Sequence, residues 1–154
     1  MTFTANEIEY LKSQPLGRLA TVGPGGRPHI VPLGVFYDPE ARSIVIGGLA
    51  GTGMAASKKF RDARRHPEVA FAVDDLASTD PWAPRGIEIR GRAETHTTGG
   101  EEIGRRIGAA MPFDPAWIRI HPRRILTRGI DTGPFELSAR DVPLGSVHPV
   151  GGAS

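Results

Sequence analysis

The sequence predicts a mainly β domain: a six-stranded antiparallel barrel with α-helices inserted between its strands. Three observations carry this. Twenty glycines and fourteen prolines in 154 residues mark more turns than a helical bundle uses. Six short strand-like runs follow one another, mostly across tight turns, as in a barrel with helical additions. In the clearest run, Ile87, Ile89, Gly91 and Ala93 alternate with Glu88, Arg90, Arg92 and Glu94. That period of two belongs to a strand with one buried and one wet face.

The length suits one domain with a proper core, drawn here over residues 1–131, followed by a Gly- and Pro-rich tail over 132–154. Without cysteine there is no disulfide framework, thiol nucleophile or cysteine-based metal site. The start lacks the cationic and apolar segments of a signal peptide, and no apolar run has the length to span a bilayer. The expectation is a soluble cytoplasmic protein without membrane partners. A net charge of +2 is too small a basic bias to suggest nucleic acid.

Thr4 and Glu7 form a capping box, and Phe3 and Ile8 a hydrophobic staple, so a helix is expected to about Ser13, stopped by Pro15. Leu16 to Val22 reads as a strand, Pro24 to Arg27 as a turn, and Pro28 to Phe36 as the strand returning beside the first. Pro32 inside it has no N–H for a ladder, which requires an open edge or a bulge there. After a turn at Tyr37 to Glu40, Ser43 to Gly48 gives a third strand. Gly47, Gly48, Gly51 and Gly53 then surround the entry to a helix over Met54 to His66. These glycines allow close backbone approach and exposed N–H groups. The glycine spacing fits neither a Walker loop nor a dinucleotide fingerprint.

Val69 to Val73 is the next strand, and Asp74 to Arg85 reads as a long polar loop carrying Trp82 between prolines. Following the alternating strand, Gly99-Gly100 opens a helix with Ile103, Ile107 and Met111 on one stripe. The last strand starts at Trp117, is interrupted at His121-Pro122 and resumes at Ile125.

The stretch from Met54 to His66 carries five basic side chains and one acid. A short cationic helix beside a glycine-rich turn suits a phosphate; the alternative is a solvated charged face. The five histidines show no metal-ligand spacing, no nucleophile elbow is present, and Glu88 and Glu94 fit a salt-bridged surface. Trp82 suits covering a flat ring or a partner subunit better than filling a core. With no clear nucleophile or base, any chemistry belongs to a bound cofactor.

Gly17 to Val22, Arg27 to Pro32 and Ser57 to Ala70, in this order and spacing, resemble the pyridoxamine 5′-phosphate oxidase-like flavin-binding split barrels. The stretches Asp74 to Trp82, Arg85 to Glu94 and Ile118 to Ile125 are similar to an actinobacterial branch of deazaflavin (coenzyme F420)-dependent oxidoreductases. The resemblance implies an FMN-binding type of split barrel, forming a homodimer with cofactor sites at the subunit interface. It implies hydride transfer from reduced coenzyme F420 to a small organic acceptor. The alternatives are an FMN-dependent oxidase or reductase of the same fold, and a binding protein without turnover. In the family a lysine after the third strand holds the cofactor phosphate; that position is Lys59, with Lys58 in support. Asp62 stands where Asn is usual, and Ser57 where many relatives carry a base. The backbone around Val31, Pro32 and Leu33, and around Ile46, Gly47 and Gly48, would line the ring. Trp82 and the Arg123–Arg124 region would reach a site from the neighbouring subunit.

Overall fold

In a computed structural model describing residues 1–143, Thr4 opens helix α1 (Ala5–Ser13) through both halves of the capping box. Its hydroxyl accepts the Glu7 N–H at 3.1 Å, while the Glu7 carboxylate accepts the Thr4 N–H at 2.9 Å. The strands are β1 (Leu16–Val22), β2 (Pro28–Gly34), β3 (Phe36–Asp38), β4 (Ser43–Leu49), β5 (Glu68–Thr79), β6 (Trp82–His96), β7 (Phe113–Arg128) and β8 (Leu137–Asp141). Helix α2 (Lys58–Arg65) lies between β4 and β5, and α3 (Gly100–Arg106) between β6 and β7. All pairings are antiparallel, in the order β2-β1-β5-β6-β7-β4-β3 with β8 added to β7, forming one curled sheet. Among the described residues β2 ends the sheet, which is where a mid-strand proline such as Pro32 is tolerated.

The core lies inside the curl. Leu19, Phe71, Ile87, Ile89, Ile118, Ile120 and Ile125 meet there with Leu11 of α1 and Phe60 of α2. The alternation expected in β6 is present: Ile87, Ile89, Gly91 and Ala93 are buried. A smaller cluster of Val45, Ile103, Phe113 and Trp117 seats α3 on the outer face.

Several expectations are corrected. Asp74 to Arg85 is no loop: β5 and β6 continue as a two-stranded arm, with Asp74 opposite Gly86 and Thr79 opposite Trp82. The arm reaches past the core, so its residues need no apolar face and their composition reads as loop. The third helix stops at Arg106, before Gly108, whose φ is +76°; Ile107 and Met111 still pack on the small cluster. The last strand begins at Phe113 and runs without a break. His121 and Pro122 are accommodated by a bulge, Arg124 facing Arg90 and Pro122 facing Gly91. The second strand divides at Val35 into β2 and β3. The stretch read as a tail contributes β8, whose Arg140 binds Glu7 and the Thr2 carbonyl. Among the described residues no helix is long and apolar enough to cross a membrane.

Candidate functional site

The helix expected from Met54 begins later. Met54–Ala56 forms one tight turn, Ser57 is extended, and α2 proper starts at Lys58. Ser57 is the N-cap: its hydroxyl accepts the Phe60 N–H at 3.4 Å and donates to the Met54 carbonyl at 2.6 Å. Two of the N–H groups at this glycine-rich turn, expected to be exposed, are taken up by the chain itself. The Asp114 carboxylate accepts Gly51 N–H at 2.7 Å and Met54 N–H at 2.8 Å, and these bonds hold its pKa down. Gly51 and Gly53 are needed for their positive φ, +87° and +77°. The turn is thus closed by an acid of its own chain.

Lys58 is already engaged. Its ammonium donates to both Asp62 oxygens at 3.2 and 3.0 Å, and Thr21 donates to the same carboxylate at 3.1 Å. Burial alone would raise the Asp62 pKa; the bonds from Lys58 and Thr21 outweigh it and keep the group ionised. Lys59 differs. Residues three and four apart share a helix face, so Lys59 lies over Asp62 and Ala63, both buried. It is half-buried and, among the described residues, makes no hydrogen bond or ion pair. Burial pushes its pKa down. An ordinary surface lysine would extend into water; this one is held against the body of the protein with its charge unanswered.

Helix α2 packs against β1 and β6, and β1 pairs with β2, whose inner face carries His29, Val31 and Leu33, while Ile30 and Pro32 face out. Val31 and Leu33 pack against the core. His29 pairs across the ladder with Thr21, and its Nδ1 is buried without a hydrogen-bond partner among the described residues. On β4 the Ile46 side chain is fully buried, leaving only its backbone for a ligand. Gly47 and Gly48 are half-buried; a Cβ on Gly47 would strike the Phe113 ring at 2.4 Å, and one on Gly48 would crowd Met54. Strand β2 contacts β4, β4 contacts the turn at Met54, and that turn contacts α2, so the elements carrying Val31, Pro32, Leu33, Gly47, Gly48 and Lys59 follow one another in space.

Trp82 is remote from them. Trp82, 56% exposed, stands at the tip of the arm, the length of β5 away from α2, roughly 35 Å. It borders an open groove of about 570 Å³ with Leu76, Pro84, Leu126 and Leu137. Arg124 donates to Asp141 at 2.7 Å and Arg123 to Glu68 at 2.9 Å, so both are occupied within the chain. Sequence reading missed Asp114 and His29. Nothing local marks Asp114 as the acid that closes a turn about sixty residues earlier; His29 stood out only through the alternation that puts it with Val31 and Leu33.

A curled antiparallel sheet with a cationic helix packed on β1, next to the open edge strand, fits the class of flavin-type split barrels. Residues 3–132 match the pyridoxamine 5′-phosphate oxidase family, and the chain belongs to it. A Streptomyces rimosus 5a,11a-dehydrotetracycline/5a,11a-dehydrooxytetracycline reductase is 46% identical over 131 residues, covering 85% of this chain and 86% of the reductase. The chain is an oxidoreductase. Among solved structures, a conserved hypothetical protein of Mycobacterium tuberculosis superposes with a TM-score of 0.63 at 24% identity, over 84% of this chain and 86% of the other. An FAD-binding protein of Mycobacterium smegmatis gives 0.59 at 24% identity, over 82% and 94%. These two likenesses concern the fold.

Proposed function

We propose that the chain transfers a hydride from reduced coenzyme F420 to a small conjugated organic acceptor, as a cytoplasmic homodimer with cofactor sites between subunits. The observation that carries this reading is Lys59: a half-buried cation without a partner among the described residues, on a helix packed against β1, the strand next to the open edge strand β2. Such a group fits a phosphate, which would answer its charge. The reductase relative acts on a dehydrotetracycline, and that supports a conjugated acceptor here.

The cofactor, when bound, supplies the hydride; the chain supplies placement. Lys59 anchors the phosphate. The backbone at Val31, Pro32 and Leu33 offers a flat edge to the ring, and Gly47 and Gly48 give close approach from β4. Trp82 does not reach α2 of its own chain, so it enters the site only from a second copy, while Arg124 is tied to Asp141 within its own chain. The mycobacterial neighbour is an FAD-binding protein, and FMN is accordingly the second reading.

Reconstituting the full chain with coenzyme F420 and with FMN tests the choice. F420 is expected to bind at micromolar concentration and its reduced form to be oxidised by an enone or quinone. Binding of FMN alone would favour the second reading. Tight binding without turnover on any acceptor would make the protein a carrier.

A further inference from the structure

Two adjacent lysines at a phosphate site would ordinarily be read as a matched pair for a doubly charged group. Here they are not equivalent. Lys58 is drawn off by Asp62, whose side chain is 3% exposed and held by Thr21 from the strand below. Gly23 lets it lie close, since a Cβ there would come within 2.8 Å of the Lys58 Nζ. Asp62 also sits three residues after Lys59, on the same helix face, so its negative charge is felt by anything Lys59 holds. Summed over Lys58, Lys59 and Asp62, this end of the helix offers one positive charge. His29, on β2 beside Thr21, is the other titratable group facing the cluster. The remaining cations of α2, Arg61, Arg64 and Arg65, are exposed on its outer side.

We infer that the phosphate pocket at Lys59 is matched to a singly charged phosphodiester rather than to a doubly charged terminal phosphate, and that Asp62 is the residue that sets this preference. The inference rests on the placing of the cofactor phosphate at Lys59. A terminal phosphomonoester carries nearly two charges above about pH 7. One of them would be left unanswered next to a buried carboxylate, at a cost set by like-charge repulsion. A diester brings a single charge, which Lys59 balances. Coenzyme F420 holds its phosphate as a diester and FMN as a monoester, so Asp62 would discriminate between the two cofactors.

Titrating the full chain with riboflavin, FMN and the methyl ester of FMN, followed by flavin fluorescence, separates phosphate charge from ring binding. At about pH 8, where FMN is doubly charged, the wild-type chain is expected to bind the methyl ester at least as tightly as FMN. Tighter binding of FMN than of its ester overturns the inference. Asp62→Asn frees Lys58 and is expected to tighten FMN by about fivefold, the size of one half-exposed ion pair, with a smaller change for the ester. Equal changes for both, or none, also overturn it. If Asp62→Asn does not fold, Lys58→Gln serves: with Asp62 left uncompensated, FMN should weaken by about fivefold more than the ester, and equal weakening overturns the inference. Lys59→Ala tells the two levels apart. If it leaves FMN and the ester as favourable relative to riboflavin as before, the phosphate does not lie at Lys59 and the placing itself is wrong. If it weakens both while Asp62→Asn acts on neither selectively, the placing stands and the charge matching fails.

Discussion

Two charged clusters, one joining β3, β4, β7 and α3 and the other joining β1 and α2, show what an unpaired charge means in this molecule. In the first, Asp38 is fully buried between two guanidiniums: Arg106 at 2.7 and 3.1 Å and Arg119 at 2.8 Å, the latter also donating to Ser43 at 2.6 Å. Burial would push the Asp38 pKa up, but Arg106 and then Arg119 outweigh it and bring it down to about 2. Every charge there has its complement, and the cluster ties β3, β4, β7 and α3 together. In the second cluster, Lys58, Asp62 and Thr21 satisfy one another while Lys59, one residue along, answers to nothing among the described residues. A fold that completes Asp38 so thoroughly leaves Lys59 half-buried and open, which is what the proposed phosphate anchor requires.

Breaking each cluster should therefore give opposite results. Asp38→Ala strands the Arg119 charge in the interior and is expected to cost about 3–5 kcal/mol, seen as a large fall in Tm. A related test is the acid limb of wild-type stability. The folded pKa of Asp38 lies below its unfolded value, so its contribution is complete above about pH 4 and fades as pH falls toward about 2. Asp38→Asn should flatten that part of the curve. Lys59→Met should do the reverse of Asp38→Ala, leaving Tm unchanged or raised because it removes an uncompensated, partly desolvated charge. In the same variant cofactor affinity should fall about tenfold or more, the value of a hydrogen bond to a charged group. A smaller effect is expected away from both clusters: Thr4→Ala removes the α1 cap and should cost about 1 kcal/mol by thermal melting. The smallest is Trp82→Ala. So exposed a side chain should change the stability of one chain by no more than about 0.5 kcal/mol, while sedimentation should show a weaker dimer if Trp82 contacts a second copy.

The difference between the clusters also marks how far the sequence could be read. Features whose partners are close in the chain were legible: the Thr4–Glu7 capping box, the Ile87 to Ala93 alternation, and the sheet's need for an open edge at Pro32. The Lys58–Asp62 pair was available in the four-residue spacing, but the depth of Asp62 was not, and that depth is what makes it engage Lys58. Contacts between distant residues left no local trace. Asp114 closing the turn at Gly51, Asp38 joining Arg106 and Arg119, and Asp75 binding Tyr10 and Arg85 all depend on strand register. The arm carrying Trp82 was misread for a different reason. Outside the core a strand needs no apolar face, so Asp74 to Arg85 has a loop's composition and a ladder's hydrogen bonds.

The role of Lys59 is tested most directly by comparing the affinity of coenzyme F420 with that of its phosphate-free deazaflavin chromophore, in the wild-type chain and in Lys59→Ala. The wild type should prefer the phosphorylated form by about tenfold or more, as expected for a charge-assisted contact, and Lys59→Ala should abolish that preference with the fold intact. A preference that survives the loss of Lys59 would contradict the assignment.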